Sequence, residues 1–188
     1  MLNGAYKDQS IYSSKDSSDE TKEVLYAKDF VSFDISDGDT IVFKKKNGER
    51  ERVRLVGIDA PEKTQPSLTE GKNCGELARN FLKSLIGPDL YCEISGKDQY
   101  ERKLGTCFSK GLNLNREMVI QGYAVAYVYY SKTYKDEENE ARKLKRGLWK
   151  YGFQEPSKYR KEQKKEVPDL WITTSNKFWI DIMHLDLW

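Results

Sequence analysis

The chain has 188 residues, 38% of them hydrophobic and 33% charged, with a formal net charge of +2. That length holds one ordinary domain with tails and a real core, and the composition excludes disorder throughout. So small a net charge excludes a global field that draws in polyanions, so any basic site must be local, and no apolar stretch reaches the ~20 residues that cross a bilayer.

Residues 1–27 are rich in Ser, Lys, Asp and Glu without a sustained period, and read as a flexible lead-in. They lack the apolar centre of a signal peptide, which fits a cytoplasmic protein or one already trimmed. Strand signals follow at Phe30, Val31 and Phe33. Thr40 to Phe43 then runs into Lys44-Lys45-Lys46-Asn47-Gly48, and Arg52 to Ile58 forms the return strand of that Asn-Gly hairpin. Leu77, Phe81, Leu82 and Leu85 recur at helical spacing, and Gly87-Pro88 stops the helix. Leu90–Ile94 and Leu104–Phe108 read as strands around the turn Asp98–Arg102. Asn115–Gln121 reads as a short helix, Tyr123–Tyr130 as a strand and Tyr134–Lys145 as a charged helix. This order predicts an α+β fold: a small closed sheet of five strands with about three helices packed on it.

Beyond Trp149 the pattern weakens. The mostly basic run Lys158–Lys165 has the usual meaning of a solvated face, with weak nucleic-acid affinity as the sharper reading. Residues 161–188 form an aromatic extension of unassigned role, carrying Trp171, Phe178, Trp179 and Trp188, which packs back on the domain or contacts another chain.

The single His184 leaves little room for a Ser/His/Asp triad or a His-rich zinc site, and three cysteines do not complete a structural zinc site. Cys92 and Cys107 flank the Asp98–Arg102 turn. They are either a bridge across a hairpin or two buried thiols. The bridge is favoured and implies an oxidising compartment.

Three segments carry the chemistry: Asp37-Gly38-Asp39-Thr40, then Arg54 followed by Asp59-Ala60-Pro61-Glu62, and Asp98-Gln99-Tyr100-Glu101-Arg102. Together they bring carboxylates for a hard metal ion, one further carboxylate and two arginines, a set suited to phosphodiester cleavage. In this order, with Ala126-Tyr127-Val128-Tyr129 and the closing Gly147-Leu148-Trp149, they resemble the staphylococcal nuclease family from Ser32 to Arg160. The domain is accordingly taken as residues 28–160.

The resemblance implies an oligonucleotide-binding (OB-fold) barrel and a calcium-dependent nuclease acting on DNA and RNA with little sequence specificity. It implies Asp39, Asp59 and the Thr40 carbonyl as Ca²⁺ ligands, and Arg54 and Arg102 as grips on the scissile phosphate. Glu62 becomes the general base or water-orienting residue, while Tyr100, Tyr127 and Tyr129 contact the substrate. A monomer is expected, exported or in the cell envelope, with contacts to other chains left to the C-terminal aromatic segment. The alternative is a non-catalytic nucleic-acid- or protein-binding module on the same fold.

Two positions depart from the family pattern. Glu101 stands where Gly is usual, removing a permissive backbone position, and Gln99 stands where Lys is common. Plain residue chemistry offers blander roles: Asp37 as a turn former, the arginines as surface ion pairs, and the tyrosines as half-buried strand residues. Five residues separate Arg54 from Asp59, so simple alternation puts them on opposite faces. Reaching one site requires a break in the strand, predicted near Gly57.

Overall fold

The computed structural model describes residues 23–127 and 133–166. Strands β1 (Val24–Tyr26), β2 (Ser32–Asp37), β3 (Thr40–Lys44), β4 (Arg50–Leu55) and β5 (Ile58–Asp59) come first, followed by helix α1 (Cys74–Leu85). Then come β6 (Tyr91–Lys97), β7 (Lys103–Ser109), β8 (Leu112–Asn113), α2 (Leu114–Ile120), β9 (Val125–Ala126), α3 (Lys135–Lys143) and α4 (Pro156–Glu166). The aromatic extension beyond residue 166, His184, Tyr129 and the first 22 residues lie outside the described residues.

The α+β class is as expected, but the strand arrangement differs from a closed five-stranded barrel. Among the described residues the main sheet has seven strands in the open order β1-β6-β7-β4-β3-β2, with β8 on β7, while β5 and β9 form a separate pair. The cause is local. Val56-Gly57 turns the chain after β4, with Gly57 at φ 74°, so Ile58-Asp59 leaves the main sheet and pairs with Val125-Ala126. The predicted single strand Arg52–Ile58 is therefore two strands. The long predicted strand Tyr123–Tyr130 contributes only Val125–Ala126 among the described residues.

Residues 24–26 fall within the segment expected as a lead-in, yet they pair in register with Tyr91, Cys92 and Glu93 of β6. A three-residue strand shows no period to read; what places it is the unpaired edge of β6, whose backbone groups need partners.

The core lies between the sheet and helices α1 and α2. Ile41, Phe43, Val53 and Leu55 from the sheet, Ala78 and Leu82 from α1, and Met118 from α2 are all buried. Helix α1 starts where the Asn73 side chain accepts a hydrogen bond from the Glu76 N–H, and ends at Ile86, which is extended ahead of Gly87-Pro88. Cys92 and Cys107 are directly opposed on β6 and β7 and form a disulfide. Closing a loop of 15 residues' separation contributes on the order of 3 kcal/mol. Cys74 is a buried free thiol.

Candidate active site

The site begins at the β2–β3 turn. Asp37 Oδ1 accepts a hydrogen bond from the Asp39 N–H at 3.1 Å, the turn-forming role open to it from sequence. Asp39 is 7% exposed; its Oδ2 accepts from the Ala60 N–H at 2.8 Å and its Oδ1 from the Thr40 hydroxyl at 3.2 Å.

The antiparallel register sets Thr40 opposite Arg54. The Gly57 turn then resolves the parity conflict between Arg54 and Asp59. A left-handed φ costs a residue with a Cβ, and a Cβ here also meets the Tyr134 ring at 3.1 Å. With the strand reset, Arg54 Nη2 lies 3.1 Å from Asp39 Oδ2 and 3.4 Å from Asp59 Oδ1, while its Nη1 donates to the Leu55 carbonyl at 3.0 Å. Asp59 is only 2% exposed. One guanidinium thus ties two buried carboxylates, one from the β2–β3 turn and one from β5.

Glu62 sits in the loop after β5, and buried Gln65 holds that loop. Gln65 Oε1 accepts from the Glu62 N–H at 3.2 Å, the Gln65 N–H donates to the Glu62 carbonyl at 2.8 Å, and Gln65 Nε2 donates to the Gln154 carbonyl at 2.6 Å. The loop rests directly on the first turn of α1. A Cβ at Gly75 falls 1.9 Å from the Glu62 carbonyl oxygen, so only glycine permits this approach.

Arg160, in α4, joins the same cluster. Its Nη1 donates to Asp59 Oδ1 at 3.1 Å and to Glu62 Oε1 at 2.8 Å, and its Nη2 to Asp59 Oδ2 at 2.9 Å. Burial works against the charge of Arg160, but Asp59 and Glu62 outweigh it and hold the guanidinium charged. Reading Lys158–Lys165 as a solvated face is therefore wrong for this residue. No local signal marks it, because its partners lie 98 and 101 positions away. Gln65 likewise carries no motif that marks it, since it joins its neighbour Glu62 to the Gln154 carbonyl 89 positions away.

Arg102 and Tyr100 stand apart in the β6–β7 turn. The parallel register of β4 with β7 pairs Arg54 with Leu104, so Arg102, immediately before β7, lies two positions back from the level of Arg54. Its Nε donates to Asp98 Oδ2 at 2.7 Å, and Asp98 Oδ1 accepts from the N–H groups of Tyr100 and Arg102. The Tyr100 ring is 70% exposed, with the Arg102 guanidinium carbon 5.7 Å from its centroid. Glu101 adopts φ 59°, the left-handed region that glycine occupies without strain. Tyr127 donates its N–H to the Gly57 carbonyl at 2.8 Å and lines the groove beside Asp59.

The donors around Asp39 and Asp59 are oxygens only. Among the described residues, no group of three or more His, Cys, Asp or Glu side chains is arranged around a metal site. Asp39 and Asp59 are the two buried carboxylates here, and oxygen ligands of that kind would suit a hard ion that keeps much of its water. Burial pushes the Asp39 carboxyl up to about 7, Arg54 pulls the other way, and Asp37 adds to the rise. Burial makes the ionised form of this carboxyl costly, and a cation beside it would offset that cost. Both Asp59 oxygens accept from Arg160, so a cation on Asp59 shares or displaces that pair.

The raised Asp39 value sets a pH dependence. Between 3.8 and about 7 the folded protein binds a proton that the unfolded chain has released. Its contribution to stability is therefore full below pH 3.8 and lost as pH rises through about 7. Asp98 acts elsewhere: burial opposes it, but hydrogen bonds from Arg102 and Tyr100 hold it below its ordinary 3.8. In chelator, thermal melts of the wild type should lose stability from pH 4 toward pH 7, and Asp39→Asn should flatten that slope. Equal slopes in the two proteins would refute the assignment.

With this geometry in place, comparison with known proteins identifies the class. Residues 52–151 match the family model described as staphylococcal nuclease homologue, and the chain belongs to that family. The family domain is an OB-fold, in accord with the expected fold class. The chain is 36% identical over 134 residues to an uncharacterized endonuclease of Haemophilus influenzae, covering 69% of this chain and 71% of that protein. It is 35% identical over 145 residues to a micrococcal nuclease of Shigella flexneri, covering 69% and 79%. Its identity to a thermonuclease of Staphylococcus intermedius is 32% over 123 residues, covering 61% and 72%. These relatives support a nuclease function.

Proposed function

We propose that the chain is a calcium-dependent nuclease hydrolysing phosphodiester bonds of DNA and RNA with little sequence specificity. The observation that carries this reading is the convergence of Arg54 on two buried carboxylates, Asp39 and Asp59, beside the half-exposed Glu62. Hydrolysis of a phosphodiester has to neutralise charge gathering on the phosphoryl oxygens and aim a water in line. Arg54 already faces anionic oxygens and has the planar fork that suits phosphate. Arg102, held by a local ion pair to Asp98 just before β7, supplies the second guanidinium.

Glu62, with its carboxylate 43% exposed and its loop clamped by Gln65, accepts the proton of the attacking water or orients that water. Calcium held by Asp39, Asp59 and the Thr40 carbonyl would add charge neutralisation at the phosphate. Tyr100, Tyr127 and Tyr129 contact base, sugar or phosphate; stacking tolerates any base, which fits low specificity. The Cys92–Cys107 disulfide supports a secreted or cell-envelope location, and we read the protein as a monomer.

Cleavage of fluorogenic single-stranded DNA and RNA, with calcium and with chelator, tests this reading. The expected result is cutting of both polymers that chelator abolishes and calcium restores. Folded protein that binds nucleic acid without cutting it under any divalent ion would replace the enzyme by the binding module.

A further inference from the structure

Beyond the carboxylate cluster, a groove of about 520 Å³ opens on Asp59 and runs between the start of α3 and one face of α4. Its volume lies within the ~300–1,000 Å³ usual for ligand sites. Helix α4 contributes Ser157, Arg160, Lys161 and Lys164. These positions recur at the i, i+3, i+4, i+7 spacing that aligns side chains along one helical face. Arg160 fixes that face against Asp59 and Glu62, and Tyr127 lines the groove beside it.

The charges in the groove are unequally satisfied. Glu138 is buried and accepts ion pairs from Lys135 and Arg142, and its Oε2 also accepts from the Ala126 N–H at 3.3 Å. Lys161 and Lys164 are exposed and have no ion-pair partner among the described residues. A row of free cations leading away from a buried carboxylate site complements a polyanion, not a neutral or cationic ligand. Among the described residues no carboxylate pairs with either lysine, so no ion pair of the fold holds them there.

We infer that this face of α4 is a backbone subsite, where Lys161 and Lys164 bind the phosphates of a single nucleic-acid strand flanking the phosphodiester to be cut. The inference rests on the nuclease reading and extends it. It assigns to the chain beyond residue 151 a part in substrate binding. The subsite reads charge and spacing, not base identity, because lysine ammonium groups meet phosphate as point charges.

The test is the salt dependence of binding of a fluorescent single-stranded DNA oligonucleotide to the intact chain in chelator, paired with cleavage by the wild type in calcium. Neutralising a phosphate of a single strand contributes about 0.7 to the slope of log affinity against log salt. Lys161→Ala/Lys164→Ala is therefore expected to lower that slope by about 1.4. The control Lys28→Ala/Lys83→Ala, with the same change in net charge away from the groove, should leave it unaltered. If the wild type cuts and binds while both double variants keep its slope, the subsite is refuted and the nuclease reading stands. An equal loss in both variants likewise refutes it, by reducing the effect to net charge. Wild-type protein that neither binds nor cuts overturns both.

Discussion

Replacing Arg54 with alanine should lower the cleavage rate by about 10²–10³-fold and destabilise the fold at neutral pH by about 3–5 kcal/mol. The rate effect follows from removing a guanidinium whose two arms meet the oxygens of Asp39, Asp59 and the Leu55 carbonyl. The stability effect arises chiefly at Asp39, which stays buried after its cation is gone, whereas Asp59 keeps Arg160. A buried charge stripped of its partner costs far more than the intact pair contributes.

For a domain of this size the loss should read as a fall in melting temperature of about 6–20 °C. It should shrink at pH 5, where Asp39 is protonated and needs no counter-charge. Arg54→Lys should recover part of the stability, but less of the rate, since one ammonium does not reproduce the fork. An alanine variant that melts with the wild type at pH 8 would show that Arg160 alone neutralises the pair.

Substituting Glu62 with glutamine should lower kcat by about 10²–10⁴-fold with little change in folding. The contrast with Arg54 lies in burial. The Glu62 carboxylate is 43% exposed and pairs with a guanidinium that Asp59 also holds. Such half-exposed pairs are worth about 0–1 kcal/mol. The loop itself is held through backbone groups bonded to Gln65, which the substitution leaves intact. Steady-state kinetics over a pH series separates the two roles. If Glu62 takes the proton, the variant loses the acidic limb of the rate profile; if it only orients water, the limb remains at reduced height. Retention of more than a tenth of kcat would remove Glu62 from the chemistry.

The two substitutions also probe α4, which ties both neighbourhoods together. Arg160 bridges Asp59 and Glu62 from a helix that the family match, ending at residue 151, does not reach. A truncation before Pro156 thus removes a cation from the cluster, and its effect is not that of trimming a solvated tail.

Local chemistry in the sequence determined the class of the fold, most of the element positions and the short motifs at the site. Helical spacing marked α1, the short segment Asn115–Gln121 and the charged segment Tyr134–Lys145 marked α2 and α3, the Asn47-Gly48 turn marked a hairpin, and the parity of Arg54 and Asp59 demanded the break found at Gly57. Each of these rests on interactions within a few residues, which a sequence displays directly. The disulfide is divided between sequence and tertiary structure: Cys92 and Cys107 flank one turn, which left a bridge and two buried thiols open, and the register of β6 on β7 sets them opposite each other.

Only the tertiary structure decided that β5 pairs with β9, that β1 closes the edge of β6, and that the sheet path is open. It alone placed Gln65 under the Glu62 loop and Arg160 on Asp59, and it kept Arg102 in its own turn with Asp98. The physical reason is shared. Burial, desolvation and ion pairing depend on which distant residues meet, and a basic run reads as solvated until a buried carboxylate far back along the chain claims one of its arginines.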